Sequence, residues 1–436
     1  MQIRTHRARF VFRAFTGGFA ALVMSHARLG AQSGAVPLTL GEVIDSVRTS
    51  LPAIRAAESR VRAAVGARTT AGVPGNPVFS YQVDQTPFPG GSPLPPNVSR
   101  EAMTTATLPL EFLYQRGPRV ARANAGVRAA EADFSAARQR AALDAASTFY
   151  QVALAQTRVE TTRELARWLD TLVVYNTARV AEGAAAEADL IRAKLERDRT
   201  RAELAMQDAE LARARAMLTT FTSVGGALRP VAFSRAAIPL PATVPSRPRA
   251  EVRAAQERAA AASAGAASER TMLFRQLGAT IGTMQTMGTT SMIAGISAPL
   301  PVFDANRGEI RRAAAERDAA QFELATEQRA ARAELQGASD AAAILGDRVR
   351  ELSTGDSTGF LARADESLRI ALGTYREGAV PLFQVIDAAR AWADARTTFY
   401  EILFAQHQSV LTLLAANGVD LLTTIADLRA FGDSAR

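Results

Sequence analysis

The sequence contains no cysteine, and this absence excludes disulfides, thiolate metal sites and cysteine nucleophiles. Histidine is almost as scarce, because His6 and His26 lie in the basic N-terminal segment and only His407 occurs in the rest of the chain. A single histidine can supply neither a zinc cluster nor a histidine-based catalytic triad. We therefore expect no metal site and no cofactor, and we interpret His407, beside the apolar "LLAANG" helix end, as a packing residue.

Aromatic residues make up only 6% of the 436 residues, although 48% of the residues are apolar. Much of the apolar fraction is alanine, which has the highest helix propensity and lets helix axes approach closely. This composition favours long, closely packed helices over one large compact core. The sequence also lacks P-loop, HExxH and GxGxxG patterns, so an enzyme is the weakest of the functions considered.

The net charge of +8 comes mainly from the N-terminus. Residues 1–31 carry five arginines, no acid, an apolar centre at 14–24 and the segment "LGA" at 29–31, which ends in small residues. This pattern predicts a secretory signal peptide. The remainder has a net charge of +8 − 5 = +3, with Arg and Glu interspersed along helices, which indicates solvated helix surfaces and no nucleic-acid partner.

The chain repeats itself after about 195 residues. Three pairs of segments show this: "IRAAESRVRAA" (54–64) with "VRAAQERAAAA" (252–262), "TLPLEFLYQRG" (107–117) with "APLPVFDANRG" (298–308), and "EGAAAEADLIRA" (182–193) with "EGAVPLFQVIDA" (377–388). The offsets of 198, 191 and 195 occur in the same order along both halves. A tandem duplication explains them most simply.

The duplication divides the chain into consecutive parts. We predict a first repeat at 32–227, a Pro-rich linker at 228–248, a second repeat at 249–425 and a C-terminal tail at 426–436. Both repeats follow one plan, in which a helix leads into a β-hairpin and the β-hairpin leads into a long helical hairpin.

The predicted β-hairpins lie at about 77–110 and 276–302. Phe79, Tyr81 and Val83 alternate with polar residues in the first, and a weaker alternation flanks the "TMGTT" turn of the second. Strands of this kind are typical of a transmembrane β-barrel. Four strands cannot close a barrel, and a membrane does not tolerate open sheet edges, so several chains must combine their strands.

The predicted helical hairpins lie at about 117–222 and 307–417. The first outgoing helix has about sixty residues without an internal proline, and the "EG" segments mark the turns. Leu165, Trp168, Leu172 and Tyr175 recur at 3-4-3 spacing, which predicts coiled-coil packing. The segment "LSTGDSTG" (352–359) interrupts the outgoing helix of the second repeat.

These features together resemble the TolC-type outer-membrane efflux proteins, also called outer membrane factors. "SAPLPVFDANRGEIRRA", "YREGAVPLFQVIDA" and "GNP" at 75–77 carry the similarity best. The resemblance implies a mainly α fold with a small β part, in which duplicated coiled-coil hairpins form an α-barrel. Four strands per chain contribute to a trimeric twelve-stranded transmembrane β-barrel. The implied location is the outer membrane of a Gram-negative-type cell, with an extension into the periplasm.

The resemblance also implies partners. The homotrimer contacts outer-membrane lipid, a periplasmic adaptor (membrane fusion protein) and an inner-membrane transporter of the RND type. The helical tips face the adaptor, so Glu182, Gly183, Arg376, Glu377 and Gly378 are candidate docking residues. An equally good explanation of the glycines is that a helix end requires a residue with positive φ, and both explanations can hold.

The resemblance assigns further residues to a periplasmic aperture. Tyr375 is expected to hydrogen-bond Asp189 in the closed state, and Gln384 and Asp387 take the positions of two pore rings. Since Gln384 is neutral, only one ring of three acids is expected. Without the resemblance, Asp189 and Asp387 are better interpreted as ordinary polar-face residues. Phe303 is expected to pack the seam between sheet and helix.

The implied function is a passive exit duct, and the junction segments are most similar to the heavy-metal cation efflux branch. The alternatives are multidrug export or type I protein secretion through the same duct, and a non-membrane coiled-coil scaffold. The uncharged hairpin at 276–303 and the signal peptide weigh against the scaffold. The methionines of the second hairpin favour packing over copper binding.

Overall fold

The computed structural model describes residues 37–86, 100–222, 247–272, 277–300, 302–353 and 359–423, with short pieces at 89–91, 95, 98, 229–230 and 237–238. The predicted signal peptide, most of the linker and the tail at 426–436 lie outside the described residues. None of the described helices is both long enough and apolar enough to cross a membrane.

The described elements follow the predicted order of short helix, β-hairpin and helical hairpin in each half. The strands are β1 Pro37–Leu38, β2 Val78–Asp84, β3 Glu101–Pro109, β4 Arg229–Pro230, β5 Gly278–Thr286 and β6 Thr289–Ser297. The helices are α1 Leu40–Ser50, α2 Pro52–Gly72, α3 Arg116–Ala181, α4 Glu187–Thr219, α5 Ala250–Arg270, α6 Arg307–Ser353, α7 Phe360–Arg376 and α8 Leu382–Ala416.

Strands β2, β3, β5 and β6 form one antiparallel sheet in that order, which confirms the predicted four strands. The two repeats meet at the central pair, where Thr105 of β3 lies opposite Gly282 of β5. Strands β2 and β6 occupy the two edges, and among the described residues neither edge has a further partner strand.

One face of the sheet is richer in large apolar side chains than the other. The register places Phe79, Tyr81, Val83, Leu108, Ile281, Met292 and Ile296 on the same face, together with smaller side chains. All seven are exposed in the single chain. The opposite face is mixed, because Ser80, Gln82, Thr105, Thr107, Thr280 and Ser297 lie there together with Val78, Met103, Met284 and Ile293. The bias of the large apolar side chains toward one face is in the direction that a membrane barrel requires.

The long helix α3 has 66 residues and is about 99 Å long at 1.5 Å per residue. It turns back into α4 at residues 182–186, and α7 turns back into α8 at residues 377–381. In the second repeat α6 ends at Ser353 and α7 begins at Phe360, which agrees with the predicted interruption of the outgoing helix.

A large apolar cluster packs α1 against the middle of α3 and the C-terminal half of α8. His407 lies in this region, 4% exposed, and its ring stacks on Tyr150 with 4.8 Å between the centroids. Burial lowers the pKa of His407 to about 4, although a hydrogen bond between Nδ1 and the Leu403 carbonyl opposes the shift. The predicted packing role of His407 agrees with this position.

In the first repeat the sheet-to-helix junction is held by arginines of α3. Arg119 donates to the carbonyls of Ala71 and Val73, both at 2.9 Å, and Arg116 donates to Gly72 at 2.9 Å. These are terminal carbonyls of α2, which lack partners within their own helix. Arg119 also forms an ion pair with Glu111, so the junction is tied to the end of the short helix.

In the second repeat an asparagine, and not an arginine, binds the end of the short helix. Asn306 is buried with a φ of +57°, and its Nδ2 donates to the Glu269 carbonyl at the end of α5, at 2.8 Å. Asparagine tolerates this left-handed conformation better than most residues. The expectation that Phe303 packs the seam is wrong within the single chain, because Asn306 makes the contact and Phe303 is fully exposed.

Candidate aperture at the helical tips

Both helical hairpins turn through the same backbone motif. Gly183 has a φ of +71° and Gly378 a φ of +76°. In each tip the glycine N–H donates to the carbonyl three residues earlier, and the next N–H donates to the carbonyl five residues earlier. This is the Schellman motif, in which a left-handed residue satisfies the last carbonyls of a helix. The helix-cap explanation of the two glycines therefore holds.

The predicted docking residues all lie on the surface. Glu182, Gly183, Arg376, Glu377 and Gly378 are exposed in the two turns. Their backbone is fixed by the motif, whereas their side chains are free to contact another molecule. The exposed turns are therefore accessible for docking.

Below the turns the four tip helices share one apolar cluster. Helix α3 contributes Leu165, Leu169, Leu172 and Val173, α4 contributes Leu190 and Ala193, α7 contributes Leu368 and Tyr375, and α8 contributes Leu382, Val385, Ile386, Ala389 and Trp392. Because one core serves both coiled coils of the chain, moving one pair of helices against the other requires these contacts to rearrange.

A buried hydrogen bond joins the two coiled coils at the end of this cluster. The hydroxyl of Tyr375 donates to Oδ1 of Asn176 at 2.6 Å, and both side chains are buried, at 5% and 0% exposure. Asn176 Nδ2 donates to the Leu172 carbonyl at 2.9 Å. A polar pair this deeply buried is costly to leave half satisfied.

The expected bond between Tyr375 and Asp189 is not formed in the chain. Asp189 is half-buried in the first turn of α4, beside Glu187. A carboxylate is stabilised there by the positive end of the helix dipole. Tyr375 instead points into the core toward α3, where Asn176 supplies the acceptor.

Arg179 connects the first tip turn to an aromatic pair. The rings of Tyr175 and Tyr375 meet edge to face, with 5.9 Å between their centroids. The Arg179 guanidinium lies 5.7 Å from each ring centroid and donates to the Ala184 carbonyl at 3.0 Å. A cation over aromatic rings adds a modest attraction, so Arg179 holds the turn and the tyrosines together.

The two predicted pore-ring residues lie on the exposed face of α8. Gln384 and Asp387 are exposed and one turn apart. The next arginine, Arg390, makes a two-pronged ion pair with Glu196 of α4, whose side chain is 11% exposed. Hydrogen bonding to Glu196 raises the pKa of Arg390, and the charges of Asp387 and Asp394 add to the rise.

Sequence reasoning missed Asn176, Arg179 and the Arg390–Glu196 pair. Asn176 had a usable signal, since it continues the buried series Leu165, Leu169 and Leu172 at helical spacing. A polar residue in a coiled-coil core position indicates a specific partner. The ion pair could not be predicted from local sequence, because Glu196 and Arg390 are 194 residues apart.

The described residues contain no group of three or more histidine, aspartate or glutamate side chains placed to hold a metal ion. At the helical tips the described residues form two fixed turns, a shared apolar core, a buried hydrogen bond and an ion pair.

Comparisons with known proteins agree with this architecture. A family model described as "Outer membrane efflux protein" matches residues 43–223. The cobalt-zinc-cadmium resistance protein CzcC of Cupriavidus metallidurans is 25% identical over 395 residues, which cover 88% of this chain and 90% of CzcC.

Two solved structures illustrate the shared fold. The Campylobacter jejuni outer-membrane channel CmeC superimposes with a TM-score of 0.72 at 15% identity, over 87% of this chain and 85% of CmeC. The open state of the Neisseria gonorrhoeae channel MtrE superimposes with a TM-score of 0.68 at 17% identity, over 88% of this chain and 89% of MtrE.

Proposed function

We propose that the chain is an outer membrane efflux protein, as the family model over residues 43–223 and the similarity to CzcC support, and that it forms the exit duct of a tripartite efflux system. Three copies assemble into one duct in the outer membrane, a periplasmic adaptor binds the helical tips, and an inner-membrane transporter of the RND type delivers the cargo. The duct is a channel and not an enzyme, so the cargo passes through it without chemical change.

The proposal of a trimer rests on the two unpaired edges of the sheet. The β2 and β6 edges leave rows of backbone N–H and C=O groups without a strand partner among the described residues. Hydrocarbon cannot satisfy such groups, so the edges must pair with other copies. Three copies provide twelve strands, and the apolar face with Phe79, Tyr81 and Ile296 then faces lipid.

We expect the detergent-extracted protein to have three times the mass of one chain, measured by light scattering after size-exclusion chromatography. The unpaired β2 and β6 edges give the physical reason, because each gains a partner only when the ring closes. A monodisperse, folded monomer in the membrane extract would contradict the trimer. Recovery of the protein only in the soluble fraction would favour the scaffold alternative.

Heavy-metal cations are the proposed cargo. The support is the resistance protein CzcC, whose name describes cobalt, zinc and cadmium and which aligns along nearly the whole chain. The absence of a described metal cluster does not bear on this proposal, because a duct passes an ion without retaining it. Multidrug export and type I protein secretion remain the alternatives for the same duct.

Deleting the gene should sensitise cells to cobalt, zinc or cadmium at least several-fold more than to lipophilic drugs, measured as minimal inhibitory concentrations. A plasmid copy of the gene should restore resistance, whereas a copy that lacks the adaptor-facing turns at 182–184 and 377–379 should not. Greater sensitisation to lipophilic drugs would instead assign the duct to multidrug export.

Within this duct the helical tips act as both docking site and aperture. Glu182, Gly183, Arg376, Glu377 and Gly378 present the exposed turns to the adaptor. Tyr375 and Asn176 hold the two coiled coils of a chain together at the periplasmic mouth, which is the role first expected of Tyr375 with Asp189. Asp387 contributes the charged ring of the pore, and the neutral Gln384 lies one turn closer to the tip.

A further inference from the structure

The second sheet-to-helix junction exposes three large apolar side chains in sequence. Leu300 is 81% exposed, Val302 is 72% exposed and Phe303 is fully exposed. The corresponding aromatic residue of the first repeat, Phe112, is half-buried in a 3-10 turn. The first junction exposes Leu113 next to the half-buried Phe112, whereas the second exposes three large apolar side chains close together.

This surface continues the apolar face of the sheet. Met292, Ala294 and Ile296 occupy that face in β6, and the same two-residue period continues in sequence with Ala298, Leu300 and Val302. The strand ends at Ser297. The apolar side chains thus extend beyond the sheet on the side where the long helices begin.

Two unpaired cations follow directly. Arg307 and Arg311 are exposed on the first turns of α6, and neither guanidinium has a hydrogen bond or an ion pair among the described residues. In the first repeat Arg116, which corresponds to Arg307, is used to hold the end of α2. In the second repeat Asn306 does this at α5, which leaves the arginine free.

We propose that Leu300, Val302 and Phe303 insert into the periplasmic leaflet of the outer membrane, and that Arg307 and Arg311 bind its phosphate headgroups. An apolar segment followed within one or two helical turns by cations matches the order of hydrocarbon and headgroup across a lipid leaflet. The proposal rests on the proposed function, because it requires the sheet to lie in the membrane.

Lipid fits this surface better than a second copy of the chain. The surface continues the apolar face of the sheet, which faces lipid in the proposed duct, and two exposed arginines follow it on the side where the helices begin. A phospholipid leaflet supplies anionic groups for both. Continuity with the lipid-facing side of the sheet, together with cations at the level of the headgroups, therefore favours a lipid partner over a second copy.

The first test places a tryptophan at the tip of this surface. The variant Phe303→Trp, assembled in liposomes with acyl chains brominated near the headgroup, should lose most of the added tryptophan emission. The native Trp168 and Trp392 lie in or against the tip cluster, remote from the sheet, and provide a constant background. Phe112→Trp is the matched control from the other repeat and should be quenched much less.

A second control separates failure of this proposal from failure of the proposed function. Tyr81→Trp lies on the apolar face of β2 and should be quenched if the sheet is in the membrane. Quenching of Tyr81→Trp without quenching of Phe303→Trp would overturn the lipid contact and leave the duct intact. Absence of quenching in both would overturn the membrane sheet. Equal quenching of Phe303→Trp and Phe112→Trp would contradict a lipid contact that is specific to the second junction.

The second test concerns the arginines. In the Phe303→Trp background we expect stronger quenching in vesicles with brominated phosphatidylglycerol than with brominated phosphatidylcholine. Arg307→Gln with Arg311→Gln should abolish that difference. Arg329→Gln is the matched control, because Arg329 is exposed on the same helix about 27 Å from Arg311. An unchanged lipid preference in the double variant would overturn the headgroup contact.

Discussion

Replacing Gly282 by alanine should prevent most of the protein from assembling in the membrane. A Cβ atom at this position would overlap the Thr104 carbonyl oxygen and lie 2.8 Å from Cγ2 and 2.9 Å from Cα of Thr105. Two of these three atoms belong to the backbone of β3, so no side-chain rotation can relieve the overlap. The central strand pair that joins the two repeats must then separate.

The cost of such overpacking is about 1–3 kcal/mol and occasionally more, and it occurs once in every copy of the assembly. We expect the yield of heat-resistant, assembled protein on unboiled gels to fall roughly tenfold or more. Weak assembly of this variant would also lower resistance in cells, which provides an independent readout.

Gly295→Ala is the matched control for Gly282→Ala. Gly295 is also a strand glycine on the same face of the sheet, in β6 opposite Thr280. A Cβ atom there meets no other atom within 4 Å, so the variant should assemble like the parent. Equal assembly of the two variants would show that β3 and β5 can move apart freely, and the close approach would then have no structural importance.

Replacing Tyr375 by phenylalanine should open the periplasmic mouth. The ring contacts with Tyr175 and Arg179 survive the change, but Oδ1 of the fully buried Asn176 loses its donor. An unsatisfied buried acceptor costs about 1–3 kcal/mol. If water reaches this oxygen in the open state, the cost falls only on the closed state. Three copies together then shift the equilibrium between closed and open toward open by roughly a hundredfold or more. The measurements are single-channel conductance in planar bilayers and cell leakiness to large antibiotics.

A second substitution should reverse the effect. Adding Asn176→Leu to Tyr375→Phe removes the orphaned acceptor and gives an apolar contact of similar size, and replacing both partners in this way is nearly neutral. Conductance should return toward the parent value. A Tyr375→Phe variant that inserts as a trimer and conducts like the parent would show that this bond does not gate the duct.

Asp387→Asn tests a different property of the same region. It removes charge from the exposed face of α8 and leaves the Tyr375–Asn176 bond in place. We therefore expect altered cation selectivity or cation block without a rise in conductance from the closed state. An increase in leak comparable with that of Tyr375→Phe would instead assign Asp387 to closure of the mouth.

The sequence by itself determined the architecture of this protein. Alanine-rich helices, two alternating hairpins and three repeated segments at nearly constant offset are local features, and each depends on residues close together in the chain. Gly183 and Gly378 could be recognised as helix caps for the same reason, because a helix end needs a left-handed residue wherever it lies.

Only the tertiary structure decided which side chains meet across the repeats. Tyr375 pairs with Asn176, 199 residues away, rather than with Asp189, because the direction of a ring within a four-helix core depends on how all four helices pack. Gly282 has no room for a Cβ atom because β3 of one repeat lies against β5 of the other. Asn306 contacts the end of α5, 37 residues earlier in the chain, and Phe303 stays exposed. In each case the partner lies too far along the chain for local propensity or spacing to indicate it.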